Sequence, residues 1–212
     1  MDRVMIFVDG SNLYTSLKNM GEEWGEKLRL DYVKLFKFLS RGRRLIRVYY
    51  YLPVPPKEYD PAGYEAQMNF AETVKKICRK HSINIELKTT MLKWKTIHCP
   101  DGPVRKLIEK GVDVRIATDM LSLAFHNAYD VAILLSGDSD FVEVVEEIKH
   151  QGKIVENAVF KEASSKELRD VCDNYIFLDD YLDRFRMILD EEGRPAFDQQ
   201  QDTQLERVIV SN

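Results

Sequence analysis

Cysteine, histidine and long apolar runs are all scarce in this chain, and each shortage closes off a class of protein. Three cysteines among 212 residues, Cys78, Cys99 and Cys172, are odd in number and widely spaced. They do not make a disulfide framework, and they read as thiols of a reducing compartment. No stretch approaches the roughly 18 consecutive apolar residues that span a bilayer. Met1-Asp2-Arg3-Val4 leads at once into a strand pattern, without the layout of a signal peptide. A cytoplasmic protein with no membrane partner is therefore expected. The four histidines leave few zinc ligands: Cys78-x-x-His81 falls at the end of a helical pattern, and His98-Cys99 are adjacent, which fits finger spacings poorly. A Walker-type phosphate loop is also missing.

Strong net charge is lacking too, since the sum is only -4 at pH 7, but its distribution matters more than its size. Residues 179 to 212 carry nine acids against four bases, whereas the segment from Lys75 to Lys110 carries ten Lys or Arg against three acids. A second basic group, Arg41, Arg43, Arg44, Arg47 and Lys57, contains no acid. Such local surpluses can meet phosphates whatever the total. With 44% hydrophobic residues the chain can bury one core. A folded domain over 1–182 is expected. An acidic, polar tail over 183–212, with Gln199-Gln200-Gln201 and few large apolar residues before Val208-Ile209-Val210, would be disordered or a partner-binding arm, which leaves a homo-oligomer open.

Strand patterns alternate with helical ones along the domain. Strands are expected at 3–9, 45–52, 83–88, 130–135, 154–160 and, short, 175–178. Helices are expected at 11–19, 30–39, 61–80, 113–126, 141–150 and 166–172. Pro61 suits a helix start, and Ser11 or Asn12 would cap the first helix. Inward positions are read as Tyr64, Met68, Ala71, Val74, Ile77 and Cys78 on the third helix and Val114, Ala117, Leu121 and Ala124 on the fourth. Residues 90 to 109 are the least regular and read as a hairpin or mobile loop. Short connections between alternating elements predict an α/β fold, a three-layer α/β/α sandwich with a mostly parallel, Rossmann-like sheet.

The chemistry is concentrated where strands end. Met5-Ile6-Phe7-Val8-Asp9-Gly10-Ser11-Asn12 and Leu134-Leu135-Ser136-Gly137-Asp138-Ser139-Asp140-Phe141 share one layout, a buried strand closing on acids. In open α/β sheets ligands sit beyond the carboxyl ends of the strands, so these carboxylates can converge on a divalent metal. Each also has a plainer reading as a helix cap. One cap residue suffices at 138–141, however, and a second acid two positions away adds repulsion that a cation relieves. Asp138 is favoured as a direct ligand, and Asp140 binds directly or through water. Asp113 and Asp119 stand in Lys110-Gly111-Val112-Asp113 and the helix that follows. Six residues apart, they are rotated by roughly 240° and cannot both face one site.

Taken in order, Val8-Asp9-Gly10-Ser11-Asn12, then Lys110-Gly111-Val112-Asp113 with its downstream Asp119, then Ser136-Gly137-Asp138-Ser139-Asp140-Phe141, the chain resembles the NYN domain family, in particular its LabA-like branch within the PIN-like nuclease superfamily. The resemblance covers roughly residues 3 to 160. It implies a PIN-like fold and a metal-dependent ribonuclease. It favours Asp113 as a metal ligand beside Asp9, Asp138 and Asp140, with Asp119 as an outer acid or a structural contact. It also places Asn12 and Ser136 beside the acids, where they would orient water or phosphate. The hard carboxylate oxygens suit Mg²⁺ or Mn²⁺. Cleavage of a phosphodiester needs an in-line nucleophile and stabilised phosphate charge, which such an ion supplies.

RNA, single-stranded, is the expected partner. Trp94, flanked by Lys93 and Lys95, would stack a base while the lysines meet phosphates; its plainer reading is a hairpin tryptophan covering the core. Lys106 and Lys110 extend the basic set. Tyr49-Tyr50-Tyr51 reads as strand packing. The alternative function is a nuclease-like RNA-binding or regulatory protein that cleaves nothing. A metal-dependent phosphatase or nucleotide hydrolase of another α/β class is ranked last, because Asp9 lacks the second acid two residues on that haloacid-dehalogenase phosphatases use, and no Walker-type loop is present.

Overall fold

The computed structural model describes residues 1–99, 102–108 and 110–187, without the side chains of 97–99, 106 and 107. β1 (Arg3–Asp9) runs into α1 (Gly10–Trp24); α2 (Tyr32–Ser40) precedes β2 (Arg44–Val54), and α3 (Pro61–Lys80) joins it to β3 (Ile85–Met91). A hairpin, β4 (Lys93–Cys99) and β5 (Gly102–Ile108), comes next. It is followed by α4 (Val112–Phe125), β6 (Val131–Leu135), α5 (Val142–His150), β7 (Ile154–Val159), α6 (Lys166–Val171) and β8 (Asn174–Phe177).

Six of these strands form one parallel sheet in the order β3-β2-β1-β6-β7-β8. The chain winds outward from β1 to β3, returns through α4, and winds outward again from β6 to β8. The order therefore reverses between β1 and β6, and the crevice beyond their carboxyl ends is the switch point at which such sheets hold ligands. The α/β three-layer sandwich expected from the alternation is what forms.

Alternate strand residues feed two cores. Val4, Ile6, Val8, Val48, Tyr50, Ile133 and Leu135 pack with α1, α2 and α3 on one face. Met5, Phe7, Tyr49, Tyr51, Ala132 and Leu134 pack with α4, α5 and α6 on the other. Cover on both faces explains why β1 and β6 are continuous apolar runs. It also explains why all of Tyr49, Tyr50 and Tyr51 are buried, where alternation alone buries only part of such a run. Each large apolar side chain taken fully inside contributes about 1.5–3 kcal/mol.

Two helical stripes depart from their expected registers. α4 buries Val112, Ile116, Met120 and Ala124, while Val114 is 69% exposed. In α3 the inward stripe is Ala71, Val74 and Cys78, and Ile77 faces outward at 41%. Both misplaced residues are apolar neighbours of the true stripe, and amphipathic spacing cannot reject them without a partner surface.

The first helix cap also differs. The side chain of Asp9, rather than of Ser11 or Asn12, accepts the Asn12 amide. Residues 93 to 108 form an antiparallel ribbon pairing Trp94 with Leu107 and Thr96 with Arg105. After β8, Leu182 and Phe185 are buried in the first core and the Met187 amide bonds to the Arg29 carbonyl. The segment 188–212, which holds most of the expected tail, lies outside the described residues. No helix among the described residues is long and apolar enough to cross a membrane.

Candidate active site

Asp9 is the last residue of β1 and is only 5% exposed. One carboxylate oxygen accepts the Asn12 amide at 3.0 Å, and the other accepts the Ser136 hydroxyl at 3.0 Å. Capping does not exhaust it: a carboxylate has about four acceptor positions, and the bonds from Asn12, Ser11 and Ser136 occupy three. Burial pushes its carboxyl above the ordinary range, the bonds from Asn12, Ser136 and Ser11 pull the other way, and the nearby charge of Asp138 pushes it up again.

The turn after β6 is held tightly against this acid. The Ser136 hydroxyl, donating to Asp9, also accepts the Asp138 amide at 3.3 Å. The Asn12 side-chain oxygen accepts the Gly137 amide at 3.3 Å, and Asp138 accepts the Asp140 amide at 3.0 Å. Glycine is required at 137 because an added Cβ would stand 1.7 Å from the Ala163 carbonyl oxygen. From the neighbouring strand, buried Asn157 donates to the carbonyls of Leu134 at 3.1 Å and Ser136 at 2.8 Å. Asn157 fixes the turn, yet the sequence reading passed over it; its signal was a polar residue inside an apolar strand pattern.

Asp113 is brought to the site by the start of α4. Gly111 holds the left-handed conformation at φ 86°, which turns the chain into α4 and puts Asp113 in the first helical turn. Its carboxyl is also raised, first by burial and then by Asp9, Asp138 and Asp140. The structure thus brings Asp9, Asp113, Asp138 and Asp140, from three separate segments, within electrostatic reach of one another. Asn12 and Ser136 lie among them.

Asp119 is elsewhere on α4. Its Oδ2 accepts the Tyr51 hydroxyl and the Lys88 ammonium, both at 2.7 Å. In the sheet register Asp9 sits beside Tyr51 and Tyr51 beside Lys88, so these three residues form a row across β1, β2 and β3. Arg115 joins α4 to the end of β3 by donating to the Thr89 carbonyl at 2.8 Å. From the sequence Tyr51 reads only as strand packing, and Lys88 and Arg115 do not stand out, because their partners lie tens of residues away.

Among the described residues, no group of three or more His, Cys, Asp or Glu side chains is drawn close enough to hold a metal ion. Carboxylates without a counter-ion stand apart, and Mg²⁺ keeps several of its own waters and takes only one or two carboxylates directly. The oxygen-only donor set fits a hydrated hard cation. It does not fit zinc, and Cys78 in particular is buried in the core, with burial pushing its thiol up to about 11.

The basic residues are distributed differently. Lys93 and Lys95 are exposed on the ribbon, and Lys110 is exposed just before Gly111. The Lys106 side chain lies outside the described residues. Side chains alternate faces along a strand, so Lys93 and Lys95 share one face of β4 and Trp94 occupies the other. Arg105, diagonal to Trp94 on the paired strand, holds its guanidinium 5.2 Å from the indole centre. Tyr59 meets the same indole edge-to-face at 5.6 Å. Neither Arg105 nor Tyr59 stood out in the sequence, although reading 93–99 as a strand would have separated Trp94 from its lysines.

Comparison with known proteins bears on the family and the fold. The sequence model of the NYN domain matches residues 3–179. The low amplitude and bright protein LabA of Synechococcus elongatus is 25% identical over 194 residues, covering 91% of this chain and 90% of that protein. Among solved structures, a protein of unknown function from Vibrio parahaemolyticus, VPA0982, superposes with a TM-score of 0.61 at 24% identity, over 88% of this chain and 96% of that one. That likeness concerns the fold.

Proposed function

The chain belongs to the NYN domain family, and on that premise we propose that it is a metal-dependent ribonuclease, an endonuclease acting on single-stranded RNA. One observation carries this reading. Asp113 is raised first by burial and then by the charges of Asp9, Asp138 and Asp140, so the fold keeps four acids within electrostatic reach of one another at the switch point of the sheet. Capping accounts for Asp9 and Asp138, each of which accepts an amide at a helix start; it does not account for Asp113, whose helix has no side-chain cap, or for Asp140 beside them.

Asp9, Asp113 and Asp138 would hold Mg²⁺ or Mn²⁺, with Asp140 bound directly or through water. Once bound, the ion supplies charge stabilisation at a phosphate oxygen and a lowered pKa for an attacking water. The remaining work falls to the chain's own groups. Ser136 fixes the Asp9 carboxylate. Asn12, whose side-chain oxygen is taken by the Gly137 amide, is left with NH₂ donors for a water or a phosphate. Lys93, Lys95, Lys106 and Lys110 add positive field for the RNA backbone. The buried free thiols Cys78 and Cys172 support a cytoplasmic setting.

A second reading, a nuclease-like RNA-binding or regulatory protein without cleavage, is favoured by the spacing of the acids, which leaves no ready-made three-ligand cage among the described residues. One assay separates the two. Labelled single-stranded RNA, duplex RNA and single-stranded DNA are incubated with the protein in Mn²⁺, in Mg²⁺ and in EDTA. The ribonuclease reading expects cleavage of single-stranded RNA that EDTA abolishes. Binding without cleavage in either metal selects the second reading, and products ending in a 2′,3′-cyclic phosphate would overturn attack by water.

A further inference from the structure

The hairpin rises from the same edge of the sheet as the acids. β1, β2 and β3 are parallel, so the chain leaves β2 at Val54 and β3 at Met91 on the side where β1 ends in Asp9. The Leu92 amide, bonded to the Val54 carbonyl at 2.9 Å, ties the foot of the hairpin to the β2 exit. Its other leg, β5, ends at Ile108, four positions before Val112 opens α4, so in sequence the ribbon leads almost at once into the helix turn that carries Asp113. On one face of that ribbon is a compact group: Trp94 at 38% exposure, Arg105 against its ring, and Tyr59, 60% exposed, packed on its edge from the loop after β2.

We infer that Tyr59, Trp94 and Arg105 form a platform on which an unstacked base of single-stranded RNA lies as the strand leaves the acid site. The inference rests on RNA being the substrate and names how it is gripped. Three features favour a nucleobase over a protein side chain. Trp94 is held by neighbours yet presents open surface, which gives the rigid π-face that base stacking uses. Arg105 adds a cation at the ring that can also meet a phosphate. The surrounding segment, from Lys75 to Lys110, carries ten bases against three acids, complementary to a polyanion. Duplex RNA keeps its bases stacked within the helix and has none to offer. Lys93 and Lys95, on the opposite face, act only through their field.

The test is equilibrium binding in EDTA, where no cleavage intervenes, using fluorescein-labelled oligouridylate and a duplex RNA of equal length. Trp94→Ala is expected to weaken single-strand binding by about tenfold or more and duplex binding by less than about twofold. Arg105→Ala should follow the same selectivity with a smaller loss. Trp94→Phe, which keeps an aromatic face, should recover most of the affinity. The paired change Lys93→Ala with Lys95→Ala should cost both RNAs alike and flatten the salt dependence. In a Trp24→Phe background the remaining Trp94 emission should be quenched by the single strand and not by the duplex. Wild-type affinity in Trp94→Ala, equal loss for duplex, equal loss in Trp94→Phe, absent quenching, or no binding by the unaltered protein would each overturn the platform. Cleavage assayed separately in Mn²⁺ keeps the two readings apart. Selective binding with no cleavage overturns the nuclease and leaves the platform standing; cleavage with unselective Trp94→Ala binding does the reverse.

Discussion

At the amino edge of the sheet, Asp130 enters β6 with its carboxylate held by Arg3, the first residue of β1. The Arg3 amide donates at 2.8 Å, and the guanidinium donates at 3.1 and 2.7 Å. Those bonds hold the Asp130 carboxyl down at about 2. At the carboxyl edge of the same two strands, Asp9 closes β1 and Asp138 follows β6, yet Asp9 is pushed upward by burial, as is Asp113 across from it. One pair of strands thus neutralises an acid at one end and collects unneutralised acids at the other. The fold can supply a cation to an aspartate, as it does to Asp130 and, at the carboxyl edge, to Asp119. Among the described residues none is paired with Asp9, Asp113, Asp138 or Asp140, the four acids proposed to take a cation from outside.

The largest effect expected from this contrast is on catalysis. Asp9→Asn, Asp113→Asn and Asp138→Asn should each lower RNA cleavage by about a hundredfold or more, because each removes a charge from a site in which the others are already placed. Asp130→Asn should leave turnover within about twofold of wild type. Single-turnover cleavage at saturating Mn²⁺ measures both. If an acid-edge variant turned over like wild type, or if Asp130→Asn lost as much as they did, the contrast between the edges would have nothing to do with chemistry.

Next in size is a packing effect confined to the acid edge. Gly137→Ala puts a methyl group 1.7 Å from the Ala163 carbonyl oxygen, a backbone atom that cannot rotate away. The turn must shift, at a cost of about 1–3 kcal/mol, and Ser136 and Asp138 move with it. Denaturant titration should show the lost stability, and cleavage should fall further than stability alone accounts for. An alanine variant with wild-type stability and rate would mean that the turn is not held against Ala163.

These contrasts were only partly legible in the sequence. β1 and β6 could be read because sheets covered on both faces need continuous apolar runs, and the acids could be read because they follow those runs directly. What could not be read is pairing over distance. Nothing near Asp119 announces Tyr51 or Lys88, and nothing near Trp94 announces Tyr59. The register of α4 failed for the same reason: Val112, Ile116, Met120 and Ala124 are selected by the sheet they pack against, and Val114 is as apolar as any of them.

A third effect concerns pH. Asp9 and Asp113 have raised carboxyls in the fold, so the folded state favours their protonated forms. The stability this gives is fully present below about 4, where the unfolded groups titrate, and is lost as pH rises through the folded values. Asp130 runs the other way. Its folded value is about 2, so its contribution is present above about 4 and is lost as pH falls towards 2. Asp113→Asn should therefore melt higher than wild type at neutral pH, with the gain vanishing in acid, whereas Asp130→Asn should melt lower at neutral pH. Added Mg²⁺ should raise the wild-type melting temperature in proportion to occupancy and raise Asp113→Asn much less. Scanning calorimetry across pH, with and without Mg²⁺, checks all three; a metal-free Asp113→Asn that melts below wild type at neutral pH would contradict the claim of uncompensated repulsion.

The smallest expected effect is the sharpest control, because it lies on the acid edge itself. Asp119 shares α4 with Asp113 but is engaged by Lys88 and Tyr51 at 2.7 Å each, so it resembles Asp130 in kind and Asp113 only in position. If pairing rather than location decides which acids take part in chemistry, Asp119→Asn should change cleavage by less than about threefold. It should cost about 1–2 kcal/mol, because the Lys88 ammonium, with a side chain only 16% exposed, loses its nearer carboxylate and keeps only Glu86 at 3.6 Å. Tyr51→Phe, which leaves the ion pair intact, should cost less than Asp119→Asn and leave cleavage unchanged. Should Asp119→Asn instead abolish cleavage while stability holds, Asp119 would belong with the metal-binding acids. Its partners Lys88 and Tyr51 would then hold it in reserve for the site, and the division between paired and unpaired acids would have to be redrawn along the whole of α4.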